Sequence, residues 1–212
     1  MLEYFLKSFP DKTQSYFSSE NHVLPLEIFG LSINNQFSQK RLADFSTGRY
    51  CALKALEQLG IQDAIIPIGE DRAPIWPEGI VGSISHCDSL TGAIVAKRSD
   101  HISLGLDIEE IGRVTPDLWD LVFTEQEKNY LSCLSDEDKR VQSTAIFSIK
   151  EAFYKFQHPL TKTFLGFLDV EVELINFSRV NVLIDDSLLN SVISKNSVYT
   201  KIENDCVIVL IY

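Results

Sequence analysis

The sequence predicts an α+β fold made of two halves, residues 1–104 and 105–212, each a small antiparallel sheet packed with helices. Helical hydrophobic periodicity runs over residues 38–60 and again over residues 116–156. Each of these regions is followed by segments in which apolar and polar residues alternate, as they do in strands. Helices and strands that are grouped in this way are typical of α+β proteins.

The first helical pattern has clear ends. Ser38 precedes it and Gly60 follows it, and these residue types are typical of helix starts and helix ends. We therefore predict a helix between them, with an apolar stripe made of Leu42, Phe45, Ala52, Leu56 and Leu59. Arg49 lies in the middle of that stripe. Its guanidinium either reaches past the stripe to solvent or points into a cleft beside the core.

The remaining segments are assigned from the positions of proline and glycine and from the alternation of apolar and polar residues. Residues 67–79 contain three prolines and two glycines, which predicts irregular structure. The pattern of residues 81–112 predicts three strands in an antiparallel meander. Residues 116–156 are predicted to be mostly helical, and the alternation from Phe164 onward predicts a second antiparallel sheet.

Composition excludes several classes of protein. A chain of 212 residues that are 45% hydrophobic can bury a full core, and its apolar runs are too short to cross a bilayer. The formal net charge of -11 argues against sequence-independent binding to nucleic acid, which needs a basic surface. The N-terminal residues lack the pattern of a secretory signal, so we expect a cytoplasmic protein.

The four cysteines are predicted to be reduced thiols. They are widely separated, without the close pairs or the histidine-rich tracts that predict a zinc site or a disulfide framework.

One predicted strand carries two carboxylates on one side. In LGLDIEE, residues 104–110, strand alternation places Asp107 and Glu109 on the same face as Gly105, which leaves that side of the strand open. Their Cβ atoms are about 7 Å apart at strand spacing, close enough to converge on one cation. Oxygen ligands of this kind suit Mg²⁺. The alternative is a pair of solvated edge carboxylates.

The helical segment FSIKEAFYKF, residues 147–156, mixes an apolar stripe with charged residues. Glu151 and Lys155 are four residues apart and share a face outside the stripe. They form either a solvated salt bridge or part of a site. If this helix packs across the sheet that carries Asp107, Glu151 can reach the same cation, and Lys155 lies one turn further on to meet an anionic ligand.

Further candidate residues lie in the first half. GSISH, residues 82–86, approaches the nucleophile-elbow pattern, but His86 stands where glycine is required, which disfavours a serine hydrolase. Ser85 and His86 either cap the end of a strand or donate to a phosphate from one turn. Arg72, in a loop stiffened by prolines, is either a solvated loop arginine or a planar fork for phosphate.

Taken together, these segments resemble the 4'-phosphopantetheinyl transferase family. The resemblance rests on GEDRAPIWPEGIVGSISH, LGLDIEE, VFTEQE and FSIKEAFYKF, which occur in the family's order and at similar distances. The segments GRYCA and GFLDV narrow it to the enterobactin-synthetase and surfactin type, which primes siderophore and antibiotic nonribosomal peptide synthetases. His158 departs from the family pattern, because a glycine often stands there.

The resemblance implies a monomer of two pseudo-symmetric halves that binds coenzyme A in the cleft between them. It implies that Asp107, Glu109 and Glu151 hold Mg²⁺. Ser85 and His86 would contact phosphates and the adenosine side, Arg49 and Arg72 would neutralise the 3'-phosphate and nucleotide, and Lys155 with Lys150 would steady the departing phosphate. The matched residues Phe123, Thr124 and Glu127 are assigned to structure.

The reaction implied is transfer of 4'-phosphopantetheine from coenzyme A to a serine of an apo carrier protein, with Glu151 as base, directly or through a metal-bound water. The carrier would be a peptidyl, aryl or acyl carrier domain that docks through an apolar patch around the cleft. Two alternatives stay open: a non-catalytic protein that binds carrier domains or acyl-coenzyme A, and a Mg²⁺-dependent phosphohydrolase.

Overall fold

The computed structural model describes residues 9–25, 38–173, 179–183 and 198–212, and the chain divides into two compact units, Met1–Leu104 and Gly105–Tyr212. Each unit contains a three-stranded antiparallel sheet packed with helices, so the predicted α+β class is confirmed. The functional roles that the sequence assigned to the two halves stay predictions. Within the described residues, no helix combines the length and the apolar character that a membrane crossing requires.

In the described residues of the first unit, one helix packs on one sheet. The helix, α1, spans Gln39–Gln58, and the strands are β1 (Thr13–Ser18), β2 (Ile80–His86) and β3 (Thr91–Lys97), in the order β1-β3-β2. As predicted, residues 67–79 are irregular apart from one isolated bridge between Ile68 and Pro74.

The ends of α1 are those that the sequence predicted. Ser38 Oγ accepts the Arg41 N–H at 3.2 Å, and Gly60 follows the helix with φ of +82°, a left-handed conformation that favours glycine. Within the predicted stripe, Ala52 and Leu56 are fully buried, while Leu42, Phe45 and Leu59 are half-buried. The apolar face of α1 packs on all three strands, mainly on β3 and β1.

The predicted meander is wrong in its third strand. β2 and β3 pair as an antiparallel hairpin, but the strand at residues 105–110 pairs with a strand of the second unit. The other edge of β3 is occupied by β1, which aligns Thr13 with Ala96. The short segment TQSYFS alternates too weakly to have predicted this strand, and its pairing partner lies far along the chain.

The second unit is built around a long helix on a second sheet. Its strands are β4 (Gly105–Glu110), β7 (Val198–Glu203) and β8 (Cys206–Ile211), with β8 in the centre, and β5 (Val170–Glu173) and β6 (Arg179–Val182) form a separate ribbon. Its helices are α2 (Trp119–Val122), α3 (Glu125–Ser132) and α4 (Asp136–Thr161), with single 3₁₀ turns at Pro116–Leu118 and Phe167–Asp169.

The tail therefore forms two sheets rather than the single one predicted. β4 and β7 occupy the two edges of β8, and among the described strands β5 and β6 pair with each other. The parts of the predicted tail strands in residues 174–178 and 184–197 lie outside the described residues. The helical prediction for residues 116–156 is confirmed, and α4 continues through His158, whose ring stacks on Tyr154.

Helix α4 lies directly against β4 and β8. Its predicted stripe, Ile149, Ala152, Phe153 and Phe156, is buried throughout. The approach is closest at Gly105, where an added Cβ would lie 1.9 Å from the Ala152 carbonyl oxygen. The prediction that Gly105 leaves its side of the strand open is thus wrong, because the backbone of α4 fills that space. The face of β4 that carries Asp107 is the face on which α4 packs.

Candidate active site

Asp107 is a buried carboxylate between β4 and α4. It is only 2% exposed, and each of its oxygens accepts a hydrogen bond from α4. Lys155 Nζ donates to Oδ1 at 2.8 Å, and Ser148 Oγ donates to Oδ2 at 2.8 Å. The packing of α4 on β4 therefore does more than bury apolar area, because it fixes both oxygens of one carboxylate.

Lys155 is the cation that contacts Asp107. Besides the contact with Asp107, its ammonium donates to the Leu106 carbonyl oxygen at 3.1 Å. The side chain stays 29% exposed. A flexible four-carbon stem with a partly solvated ammonium can change partners without unfolding the helix that carries it.

Glu109 and Glu151 add negative charge beside Asp107. Burial, followed by the charge of Asp107, raises the pKa of Glu109 to about 7, and Arg113 and Lys155 oppose that rise. Burial and Asp107 also raise the pKa of Glu151, which Lys155 again lowers. The three predicted carboxylates thus lie within electrostatic reach of one another, on two segments far apart in the sequence.

The arrangement fits a divalent cation in its chemistry but is not a finished metal centre. Three crowded carboxylates offer only oxygen donors and an excess of negative charge, which suits Mg²⁺. Among the residues that the structure describes, however, no group of three or more His, Cys, Asp or Glu side chains has the arrangement that holds a metal ion. The magnesium assignment stays a prediction.

Lys150 has a different position from the one predicted. Its ammonium is buried and donates to Glu127 Oε2 at 2.6 Å, and to the carbonyl oxygens of Val122 and Phe167 at 2.9 Å each. These three acceptors match its three N–H groups. Burial lowers the pKa of Lys150, against the opposing effect of Glu127. In this arrangement Lys150 joins three segments of the unit and has no N–H group left for a phosphate.

Glu127 completes that junction. It forms a capping box with Thr124 at the start of α3, and its other oxygen accepts the Val172 N–H at 2.8 Å. The sequence assigned Phe123, Thr124 and Glu127 to structure, and this geometry agrees with that assignment.

Sequence reasoning missed Ser148. It is fully buried, and its hydroxyl holds Asp107. Helical spacing contained the signal, because Ser148, Glu151 and Lys155 lie at i, i+3 and i+7 and so share one face.

In the first unit, Arg49 is buried rather than snorkelling. Its guanidinium lies 4.6 Å from the centroid of the Phe45 ring and donates to the carbonyl oxygens of Ile66, at 2.9 Å, and Pro67, at 3.5 Å. Burial lowers its pKa to about 10. The side chain therefore ties α1 to the start of the irregular segment.

The other three candidates lie on or near β2. Ser85 and His86 are its last two residues, so their side chains point to opposite faces of the sheet instead of sharing a turn as predicted. Ser85 is buried, and His86 Nδ1 lies 4.0 Å from Asp44 Oδ2. Arg72 is exposed, and its backbone is in the left-handed region with φ of +64°. Its backbone N–H donates to the Gly69 carbonyl oxygen.

Two family models match the chain. The model described as 4'-phosphopantetheinyl transferase N-terminal domain matches residues 32–96, and the model described as 4'-phosphopantetheinyl transferase superfamily matches residues 103–204. The two matches fall on the first and the second unit.

Named relatives agree with these models. The 4'-phosphopantetheinyl transferase Svp of Streptomyces mobaraensis is 37% identical over 134 residues, which are 63% of this chain and 54% of that protein. The 4'-phosphopantetheinyl transferase PptT of Mycobacterium tuberculosis is 36% identical over 138 residues, 63% of this chain and 58% of that protein. Enterobactin synthase component D of Escherichia coli (strain K12) is 33% identical over 148 residues, 69% of this chain and 67% of that protein.

The chain thus spans between 54% and 67% of the lengths of these three relatives. The matches cover the strand with Asp107 and the helix with Glu151 and Lys155. On this ground the chain belongs to the 4'-phosphopantetheinyl transferase superfamily.

Proposed function

We propose that the chain transfers 4'-phosphopantetheine from coenzyme A to a serine hydroxyl of an apo carrier protein and releases adenosine 3',5'-bisphosphate. The observation that carries this proposal is the face of β4 and α4 in a member of this superfamily: Asp107 pairs with the partly exposed Lys155 ammonium, and Glu109 and Glu151 lie within electrostatic reach of that pair. Phosphoryl-group transfer needs such an arrangement, because it depends on positioning and on the control of charge.

The bonds that form and break in this reaction determine which catalytic groups the protein must supply. The serine oxygen forms a bond to the β-phosphorus of coenzyme A while the bond from that phosphorus to the bridging oxygen breaks, and the serine proton must go to a base. We assign Glu151 as that base, directly or through a water, because it is a half-buried carboxylate on the same helix face as Lys155. A base in place contributes about 10²- to 10⁴-fold to such a rate.

Magnesium and coenzyme A have separate binding groups in this proposal. Asp107, Glu109 and Glu151 would hold Mg²⁺, which supplies charge relief at the pyrophosphate when bound. Lys155 would bind a phosphate oxygen. Arg72, Ser85 and His86 stay assigned to the nucleotide; Arg49, bound to two carbonyl oxygens, would act by shaping the segment at residues 66–67.

The partner class follows from the resemblance and from one relative's name. Enterobactin synthase component D is named for a siderophore synthase, which favours carrier domains of siderophore or other nonribosomal peptide synthetases. The monomeric state and the cytoplasmic location stay predictions.

One assay distinguishes transfer from the two alternatives. The protein is incubated with coenzyme A, Mg²⁺ and an apo peptidyl carrier domain, and the intact mass of the carrier is measured. Transfer adds one phosphopantetheine to the carrier. A binding protein leaves both reactants unchanged, and a phosphohydrolase consumes coenzyme A without modifying the carrier.

Variants test the assigned residues in the same assay. Glu151→Gln and Asp107→Ala are expected to lower turnover at least about 100-fold with the fold intact, since they remove the base and a cation ligand. Glu137→Gln is the matched control, because Glu137 is an exposed glutamate on the same helix. Near-normal turnover of either test variant would contradict the role given to that residue.

A further inference from the structure

Asp107 is held at its two oxygens by donors of different kinds. Ser148, at Oδ2, is neutral and fully buried, whereas Lys155, at Oδ1, is charged and 29% exposed. The buried hydroxyl is shielded from solvent and holds the carboxylate in place. The ammonium can reach solvent on its flexible stem, so its contact with Asp107 can be exchanged.

Lys155 also offsets charge on the two neighbouring carboxylates. Its proximity lowers the pKa of both Glu109 and Glu151, against burial and the charge of Asp107. Lys155 thus offsets part of the negative charge of all three carboxylates, with Arg113 adding to it at Glu109, and a divalent cation would offset the same charge more strongly. Two cations at the same carboxylate oxygen repel each other, so binding of one disfavours the other.

We propose that Lys155 is an exchangeable counter-ion: a divalent cation that binds Asp107 replaces the ammonium at Oδ1, and the ammonium then moves to an anionic oxygen of coenzyme A. Ser148 stays on Oδ2 throughout and keeps the carboxylate oriented, which makes it a positioning residue. The inference rests on the magnesium and coenzyme A parts of the proposed function. It makes cation binding the event that frees the lysine for its anionic ligand.

Removing the two donors has opposite consequences for metal affinity. Lys155→Met removes a competing charge and is expected to tighten Mn²⁺ binding about tenfold. Ser148→Ala removes the group that orients the carboxylate and is expected to weaken Mn²⁺ binding about tenfold, as loss of a supporting hydrogen bond to a metal ligand usually does. Each variant deletes one hydrogen bond to the same carboxylate, so a purely structural role for both residues would change the affinity in the same direction.

The affinity is measured by titrating Mn²⁺ alone into the protein at pH 8, with electron paramagnetic resonance to count free ions. Lys155→Arg keeps the positive charge and is expected to bind Mn²⁺ no more tightly than the wild type, which separates charge from side-chain size. Ser148→Thr keeps the hydroxyl and should recover affinity relative to Ser148→Ala. Circular dichroism verifies that each variant is folded.

A second measurement needs no variant. Amine acylation of the wild-type protein, followed by peptide mass analysis, reports how accessible each lysine is. Mg²⁺ alone is expected to increase the labelling of Lys155, and coenzyme A added afterwards is expected to decrease it. Lys150, whose side chain is 1% exposed in its pair with Glu127, serves as the internal control and should stay unlabelled throughout.

The outcomes separate this inference from the function itself. If Lys155→Met weakens Mn²⁺ binding as Ser148→Ala does, or if Mg²⁺ binds without changing the labelling of Lys155, the exchange is wrong, while phosphopantetheine transfer in the mass assay would still stand. If neither the wild type nor Lys155→Met binds Mn²⁺, both the exchange and the magnesium assignment fail.

Discussion

Two lysines five residues apart on α4 form ion pairs of opposite character. The Lys150–Glu127 pair is sealed, with side chains 1% and 0% exposed and an N···O distance of 2.6 Å. The Lys155–Asp107 pair, at 2.8 Å, also has a buried carboxylate, 3% exposed, but its lysine is 29% exposed. Distance therefore does not distinguish the two pairs. What distinguishes them is the solvent exposure of the lysine, because an exposed ammonium can leave its carboxylate for another partner.

The surroundings of the two pairs explain this difference. The sealed ammonium meets one carboxylate and two carbonyl oxygens, so its N–H groups and its charge are both satisfied. The Lys155 ammonium pairs with Asp107 and also lies near Glu109 and Glu151, and even with Arg113 acting on Glu109 the carboxylates outnumber these cations. Breaking a satisfied buried pair is costly, because it leaves one charge buried without its partner, whereas an unbalanced group of charges is available for ligand binding.

The largest expected effect is at the sealed pair. Lys150→Met keeps most of the side-chain volume but leaves the Glu127 carboxylate buried without its cation, which should destabilise the protein by about 3–5 kcal/mol. Urea unfolding followed by circular dichroism measures the change. Lys139→Met on the same helix, whose partner Asp136 is fully exposed, is the control and should differ little from the wild type. A small effect of Lys150→Met would place that lysine back among the candidates for phosphate binding.

A smaller effect is expected where α4 touches β4. Gly105→Ala puts a Cβ 1.9 Å from the Ala152 carbonyl oxygen, so the helix must move, at a cost of about 1–3 kcal/mol. Because the move separates α4 from β4, it should disturb the Lys155–Asp107 pair and lower transfer activity. The sealed pair joins α4 to other segments and should be retained. Gly166→Ala, where the nearest atom to the added Cβ is 3.4 Å away, is the control.

The third effect is a gain of stability with a defined pH window. Since the pKa of Glu109 is about 7 in the folded chain against an ordinary 4.5, its unfolded state loses the proton first as pH rises. The stability associated with the protonated form is present below about pH 4.5 and lost as pH rises through about 7. Glu109→Gln should therefore be more stable than the wild type at pH 8, by about 1–3 kcal/mol, and should show no such gain at pH 4.5.

Unfolding in the presence of a chelator, at the two pH values, checks this prediction. An equal gain at both pH values would mean that ionisation of Glu109 is not the cause. Glu109→Gln should raise the free energy of unfolding at pH 8, whereas Lys150→Met should lower it. Together the two variants test the contrast between a satisfied and an unsatisfied group of charges.

Local patterns predicted the helices well. The caps and period of α1 and the apolar stripe of α4 depend on residues within a few positions of each other, and both helices have the predicted positions. Strand pairing depends on distant residues, which explains the failures: β1 was missed, and β4 was paired within the first half although its partner is β8.

The candidate site was predictable in its residue types more than in its contacts. Alternation placed Asp107 and Glu109 on one strand face, but the sequence could not show that the backbone of α4 fills the space beside Gly105. Lys150 and Lys155 are separated by roughly 140° around a helix of 3.6 residues per turn, so helical geometry already argued against a shared ligand. Which of them would be sealed depended on Glu127, whose place against α4 is set by tertiary packing.

Asp107 lies on β4, which pairs with β8 so that Asp107 aligns with Val209, about a hundred residues further along the chain. Pairing of strands that are so distant in sequence is slow compared with helix formation. During synthesis, α4 is complete while β8, the central strand, has yet to be made. A nascent chain interrupted in that interval would hold its carboxylates on an unsupported edge, where a free strand invites association with other chains. The candidate active site in this unit can therefore form only after β8 has been synthesised and has paired with β4.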